Sequence, residues 1–147
     1  MKLGHVHLKV RNLQRSLVFY RSYFGMEVTE RIGTTFVFLS AGPAHHEIAL
    51  QEVGEEAPLP QRHEVGLYHV AFEVADQQAF AAIYRQLSSS GVTVYPIDHR
   101  ISWALYFSDP DGNGLEVYWD TRGAEHGVAE WEGADRPLPA DRISTLE

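Results

Sequence analysis

The sequence predicts an α+β fold made of two βαβββ units in series, and three observations lead to it. His5-Val-His-Leu-Lys-Val10 returns as His69-Val-Ala-Phe-Glu-Val74, each run followed by a helix-like stretch, a glycine and further strand-like runs. A unit that recurs in this way buries its apolar face against its neighbour. At the same point of each copy the apolar residues change their spacing from two to between three and four, the signature of a strand giving way to a helix. Turn-forming clusters then separate the later runs. With 147 residues, 44% of them hydrophobic, the chain is long enough for about one ordinary domain with a real core. The expected domain is 1–120, with modules 1–54 and 65–120, followed by a C-terminal tail, 121–147.

The elements follow in order. Val6, Leu8 and Val10 alternate with His5, His7 and Lys9, so the opening strand has one apolar face and one face carrying both histidines. Leu13, Leu17, Tyr20 and Phe24 then fall on one stripe of a helix, with Asn12 as N-cap and Gly25 as the C-terminal stop. Met26 to Glu30, Thr34 to Leu39 and Glu47 to Val53 read as three strands, punctuated by Gly33 and Ala41-Gly-Pro43. The prolines of Glu55-Glu-Ala-Pro-Leu-Pro60 mark a linker. Gly66 to Val74 repeats the opening strand. Asp76 caps a second helix, carrying Phe80, Ile83, Tyr84 and Leu87 on one side and stopping at Gly91. Val92 to Tyr95, Trp103 to Phe107 and Leu115 to Trp119 complete the second module, the last two joined by the turn Asp109-Pro-Asp-Gly-Asn-Gly114. Thr121 to Glu147 is rich in Gly, Pro, Asp and Arg and reads as an extended or partly ordered tail with Trp131 as its one anchor.

Charge and composition narrow the chemistry. A formal net charge of −8 argues against nucleic-acid and anionic-membrane partners, which require a basic footprint. Small molecules are the expected partners. The absence of cysteine removes disulfides, zinc–thiolate sites, iron–sulfur clusters and a thiol nucleophile together, leaving His, Asp and Glu for any metal chemistry. The charged, histidine-bearing start is unlike a signal peptide and no later run approaches a membrane span, so a cytoplasmic location is expected.

His5 and His69 open the two copies, and Glu116 lies in the last strand, on the opposite face from Leu115, Val117 and Trp119. A lone strand histidine is more often a surface residue than a ligand; two at matched places of a repeat make a stronger case. Two imidazoles and one carboxylate bind a divalent metal while leaving positions open for substrate and dioxygen. His5, His69 and Glu116 are therefore the expected metal ligands.

These residues also carry a resemblance. His5-x-x-Leu-x-Val10, Asn12-Leu-Gln-Arg-Ser-Leu-x-Phe-Tyr20, Phe24-Gly-Met26, His69-Val-Ala-Phe and Asp109-Pro-Asp-Gly-Asn-Gly-Leu-Glu116 together resemble the vicinal oxygen chelate superfamily, from about Leu3 to Asp120. That group includes glyoxalase I, fosfomycin-resistance proteins, bleomycin-binding proteins and extradiol dioxygenases. The resemblance implies paired βαβββ modules forming a curved mixed sheet around a metal cleft, with His5, His69 and Glu116 as the protein ligands. Glyoxalase I normally supplies a fourth ligand, a glutamate on the last strand of the first unit, where this chain places Ala49, although Glu47 and Gln51 share that face.

The small catechol 2,3-dioxygenase-like proteins are the most similar branch. Ala44-His-His-Glu-Ile-Ala-Leu50 resembles their segment bearing an acid–base histidine, matched best by His46. Asp98-His-Arg-Ile-Ser-Trp-Ala-Leu-Tyr-Phe107 resembles the segment whose histidine and tyrosine approach the bound catecholate. This implies catalytic roles for His46 as acid–base, Tyr106 as the orienting hydroxyl and His99 as its assistant. Tyr106 precedes Glu116 by ten positions, the family's spacing. The reading is a metal-dependent extradiol dioxygenase using Fe(II), or Mn(II) or another divalent metal, with a small aromatic diol and O2 as substrates. A glyoxalase I-type isomerase, another metalloenzyme of the superfamily such as a transferase, and a metal-free binding protein are the alternatives. Paired modules of this kind often form homodimers, sometimes exchanging halves.

Overall fold

The computed structural model describes residues 1–61 and 63–144. Position 62 and the last three residues of the expected tail, 145–147, lie outside the described residues. Among the described residues no helix is long and apolar enough to cross a membrane. The chain divides into two compact units, residues 1–66 with 109–113, and residues 67–108 with 114–144.

The first unit runs β1 (Val6–Val10), α1 (Leu13–Phe24), β2 (Glu27–Ile32), β3 (Phe36–Ser40) and β4 (Ile48–Glu52). Its four strands lie in the order β1-β4-β3-β2, with β1 and β4 parallel and the other pairs antiparallel. Asn12 Oδ1 accepts from the Arg15 N–H at 2.9 Å, satisfying a donor that the helix start leaves open. At the far end Gly25 takes φ 61, the left-handed conformation that costs glycine nothing. Leu8, Val10, Leu17, Tyr20, Met26, Val37, Leu39, Ile48 and Leu50 are its buried core.

The second unit repeats the plan with β5 (Val70–Glu73), α2 (Gln77–Ser89), β6 (Tyr95–Asp98), β7 (Ser102–Ser108) and β8 (Gly114–Asp120). The strand order β5-β8-β7-β6 is the counterpart of the first sheet, again with its first and last strands parallel. Asp76 caps α2 by accepting from the Ala79 N–H at 2.8 Å. Phe80, Leu87, Trp103, Leu105, Leu115 and Val117 form the buried core. The two modules thus close two mixed sheets of four and five strands, as expected of an α+β fold of repeated βαβββ units.

Two expectations need correction. The strand after α2 is Tyr95–Asp98 and not Val92–Tyr95, because its start is set by pairing with β7, where Tyr95 faces Tyr106, and not by the β-branched Val92-Thr-Val94 run. The tail is also more ordered than its composition suggested. β9 (Arg136–Pro137) adds a fifth strand beside β6, and α3 (Ala140–Ser144) follows it. Trp131 is 57% exposed and is not the anchor; Leu138 and Ile143 are, both buried. Arg142 fixes the same segment by an ion pair with the buried Asp98 at 2.7 Å.

The Asp109–Asn113 turn belongs by its packing to the first unit. Asp109 accepts from the backbone of Asp111 and Asn113, from the Asn113 amide and from the Tyr20 hydroxyl at 3.1 Å. Burial pushes the Asp109 carboxyl up, against the opposing pull of those hydrogen bonds. Asp111 accepts from Arg11 N and holds Arg15 at 2.7 Å. The turn signal seen in the sequence is therefore a buried polar knot, and its aspartates hold backbone and cap contacts in place.

Candidate metal centre

In the second unit, strand register sets the geometry. Glu116 on β8 pairs with Ala71 on β5 and with Tyr106 on β7, so one row crosses three strands. His69 lies two residues before Ala71, and alternation gives it the same face. It is drawn against β8 by an unusually close backbone approach. A Cβ at Gly114 would lie 2.1 Å from the Tyr68 carbonyl oxygen and 3.3 Å from His69 Cα, so only glycine fits there.

The result is a close pair. His69 Nε2 stands 2.9 Å from Glu116 Oε2, and the Glu116 side chain is only 10% exposed. His69 Nδ1 is buried with no hydrogen-bond partner among the described residues. Tyr106 is the register partner of Glu116, and its hydroxyl meets His99 Nε2 at 2.9 Å. Burial, and then the negative charge of Glu116, raise the phenol pKa above its ordinary value. His99 Nδ1 meets Asp135 Oδ1 at 2.6 Å. The run Asp135, His99, Tyr106 thus ends beside the Glu116–His69 pair, on the neighbouring strand.

The first unit holds the remaining expected residues. His5, exposed just ahead of β1, lies with its ring centroid 4.3 Å from that of His46. His46 in turn contacts His45 through their Nδ1 atoms at 2.8 Å and packs on Phe38, while His45 pairs with Glu30 at 3.2 Å. Desolvation lowers the His46 pKa, and the neighbouring His5 and His45 lower it further. Ala49 is buried between His7 and Phe38 in the sheet register. Glu47, its nearest acidic neighbour, is occupied by the loop before it, accepting from Ala41 N at 2.8 Å and Ser40 Oγ at 3.2 Å.

These donors suit a hard or borderline divalent ion. Two donors on adjacent positions of an octahedral ion, each at about 2.1 Å, lie about 3 Å apart, and the 2.9 Å between His69 Nε2 and Glu116 Oε2 is that spacing. Imidazole nitrogen and carboxylate oxygen are also the donor types of Fe(II) and Mn(II). Among the described residues, no group of three or more His, Cys, Asp or Glu side chains is gathered so as to hold a metal ion. His69 and Glu116 are brought together within the second unit, and His5 with His46 within the first. Sequence reasoning missed Asp135 and the His45–Glu30 pair, because each meets a partner far along the chain that no local period announces.

A family model for the Glyoxalase/Bleomycin resistance protein/Dioxygenase superfamily matches residues 2–117. The chain is 36% identical over 118 residues to the catechol-2,3-dioxygenase of Bacillus subtilis (strain 168), covering 80% of this chain and 41% of that protein. It is 31% identical over 116 residues to the glutathione transferase FosA of Serratia marcescens, covering 79% of each. The chain thus spans less than half the length of the dioxygenase and most of the transferase. Among solved structures it is similar to a glyoxylase/bleomycin resistance protein/dioxygenase domain from Frankia sp. EAN1pec, with TM-score 0.69 and 25% identity over 82% of this chain and 98% of that one.

Proposed function

Because the chain belongs to the glyoxalase/bleomycin resistance protein/dioxygenase superfamily, we propose that it is a metal-dependent extradiol dioxygenase cleaving a catechol-type ring. The observation that carries this reading is the Tyr106 hydroxyl, which contacts a second imidazole at 2.9 Å from the strand position paired with Glu116 of a metal-spaced His–Glu pair. A phenolic substrate needs such a group to receive and orient its oxygens. His5, His69 and Glu116 would hold the metal, Fe(II) first, with Mn(II) or another divalent ion as substitutes. When bound, the ion supplies open positions for the two diol oxygens and dioxygen, and passes electron density between them.

The chain's own residues do the rest. Glu116 contributes one negative charge and so keeps the centre's net charge low. Tyr106 fixes the orientation of one ring oxygen, which decides which ring bond breaks. His46, whose pKa is lowered, is neutral at pH 7 and free to take a phenolic proton at an imidazole nitrogen and return it later. His99 supports Tyr106 through Nε2. Both atoms of O2 end in the ring-opened hydroxymuconic semialdehyde-type product, so no external reductant is required.

A second reading, a metal-dependent thiol transferase, is favoured by one observation: the similarity to the FosA transferase covers 79% of that protein. One set of assays separates the two. Anaerobically Fe(II)-loaded protein is offered catechol, 3-methylcatechol and 2,3-dihydroxybiphenyl in an oxygen electrode, with His5→Ala as control. Oxygen uptake with a yellow product, absent in the control, supports ring cleavage. No uptake by protein holding one equivalent of iron, together with glutathione addition to a phosphonate acceptor, transfers the assignment to the transferase. His69→Ala is expected to lose stoichiometric metal and turnover together, whereas His46→Ala keeps the metal and loses rate. Full metal occupancy in His69→Ala would overturn the ligand set.

A further inference from the structure

We propose that Asp135, supplied by the C-terminal segment beyond the residues the family model matches, is a positioning residue that fixes the proton on His99 Nδ1 and thereby the hydrogen bond between His99 and Tyr106. The proposal rests on the ring-cleavage reading for its effect on rate, and on geometry alone for its effect on His99. In the antiparallel register of β6 and β9, Ile97 faces Pro137 and Asp98 faces Arg136. One step further along the same register sets His99 beside Asp135, and their side chains meet at 2.6 Å. Pairs on either side hold the segment there: Arg100 with Glu132, and Arg142 with the buried Asp98 at 2.7 Å. Leu138 and Ile143 anchor it apolarly.

The chemistry follows from donor and acceptor roles. A carboxylate only accepts, so the short contact requires a proton on His99 Nδ1. In a neutral ring Nε2 is then the lone pair, and the Tyr106 O–H, 2.9 Å away, is its donor. Glu116, the register partner of Tyr106, holds its negative charge near the same phenol. With Nδ1 fixed, His99 accepts the Tyr106 proton, leaving the lone pairs of the Tyr106 oxygen to receive a substrate O–H. Without Asp135 the ring is free to carry its proton on Nε2 and donate to Tyr106, which turns the tyrosine proton away from His99. The tail therefore sets the direction of the hydrogen bond one residue removed from the substrate.

The test reads the His99 ring directly. Nitrogen-15 NMR of the full-length chain without added metal, in wild type, Asp135→Ala and Asp135→Asn, reports which ring nitrogen carries the proton. A protonated Nδ1 is expected in wild type and in Asp135→Asn, whose amide oxygen still accepts. In Asp135→Ala the neutral ring is expected to move to the Nε2–H tautomer. An unprotonated Nδ1 in wild type, or the same tautomer in Asp135→Ala, overturns the proposal. In the Fe(II)-loaded protein, Asp135→Ala is expected to lower kcat about tenfold with metal content and KM unchanged, and Asp135→Asn to restore most of it. An unchanged kcat despite a switched tautomer removes the role in catalysis. If the tautomer switches while wild type itself cleaves no diol, the ring-cleavage reading fails and the control of His99 by Asp135 stands.

Discussion

Much of the proposed chemistry turns on Tyr106, whose hydroxyl contacts His99 Nε2 at 2.9 Å and whose strand position is paired with Glu116. Tyr106→Phe keeps the ring and its packing on His69 but removes the hydroxyl. The expected outcome is a loss in ring-cleavage kcat of about a hundredfold with one metal still bound, checked by steady-state kinetics beside metal analysis. A fall in metal content instead would assign the hydroxyl to holding Glu116. Asp120 offers a pH readout apart from the site. Hydrogen bonds from Arg122 hold its carboxyl down to about 2, against about 3.9 in an unfolded chain. The contribution of this pair is thus fully present above about pH 3.9 and is lost as the pH falls through 2. The pair is solvent-facing and weakens with salt. Carboxyl carbon-13 titration is expected to place Asp120 near 2, and Arg122→Ala to return it to the ordinary range.

At the scale of elements, the close approach at Gly114 and the anchoring of the tail govern the site from outside it. Gly114→Ala places a methyl against the Tyr68 carbonyl, where 2.1 Å leaves no room, so the β5 entry must shift and carry His69 with it. Destabilisation of more than 2 kcal/mol or so is expected together with weaker metal binding, checked by denaturant unfolding and metal titration. Ile143→Ala empties a fully buried site in α3, and a loss of about 2–4 kcal/mol is expected as a lower denaturation midpoint at unchanged slope. What could be read from sequence divides along the same line. Asn12, Asp76 and the alternation of Val6, Leu8 and Val10 act through near neighbours, so the caps, helices and most strands were legible, as was the repetition of one strand order in two sheets. The start of β6 and the existence of β9 depend on partners far along the chain, and no local period announces either. His69 and Glu116 could be placed on one face by counting twos, and the structure sets their atoms 2.9 Å apart. Asp135 could not be found that way, because 36 residues separate it from the histidine it touches.

At the scale of the whole molecule, the formal charge of −8 acts on whatever approaches. Such a field draws a divalent cation toward its ligands and repels anions, at distances that shrink to about 8 Å at physiological ionic strength. Glu116 and Asp135 add negative charge beside His69 and His99. A neutral catechol feels none of this on approach, while a diol bearing a carboxylate or phosphonate does. At low salt the carboxylated diol is therefore expected to show a kcat/KM about tenfold below that of its neutral counterpart. Raising the ionic strength from 0.01 to 0.5 M (about 30 Å to a few Å of screening length) should close most of that gap by lowering the KM of the anionic diol alone. Steady-state kinetics on a matched neutral and anionic pair, at both ionic strengths, decides the matter. A salt-independent ratio would locate the discrimination in the shape of the pocket and not in the charge of the chain. The same field opposes a phosphonate acceptor, so a chain that used one efficiently at low salt would have to carry a local cationic site strong enough to reverse its own net charge.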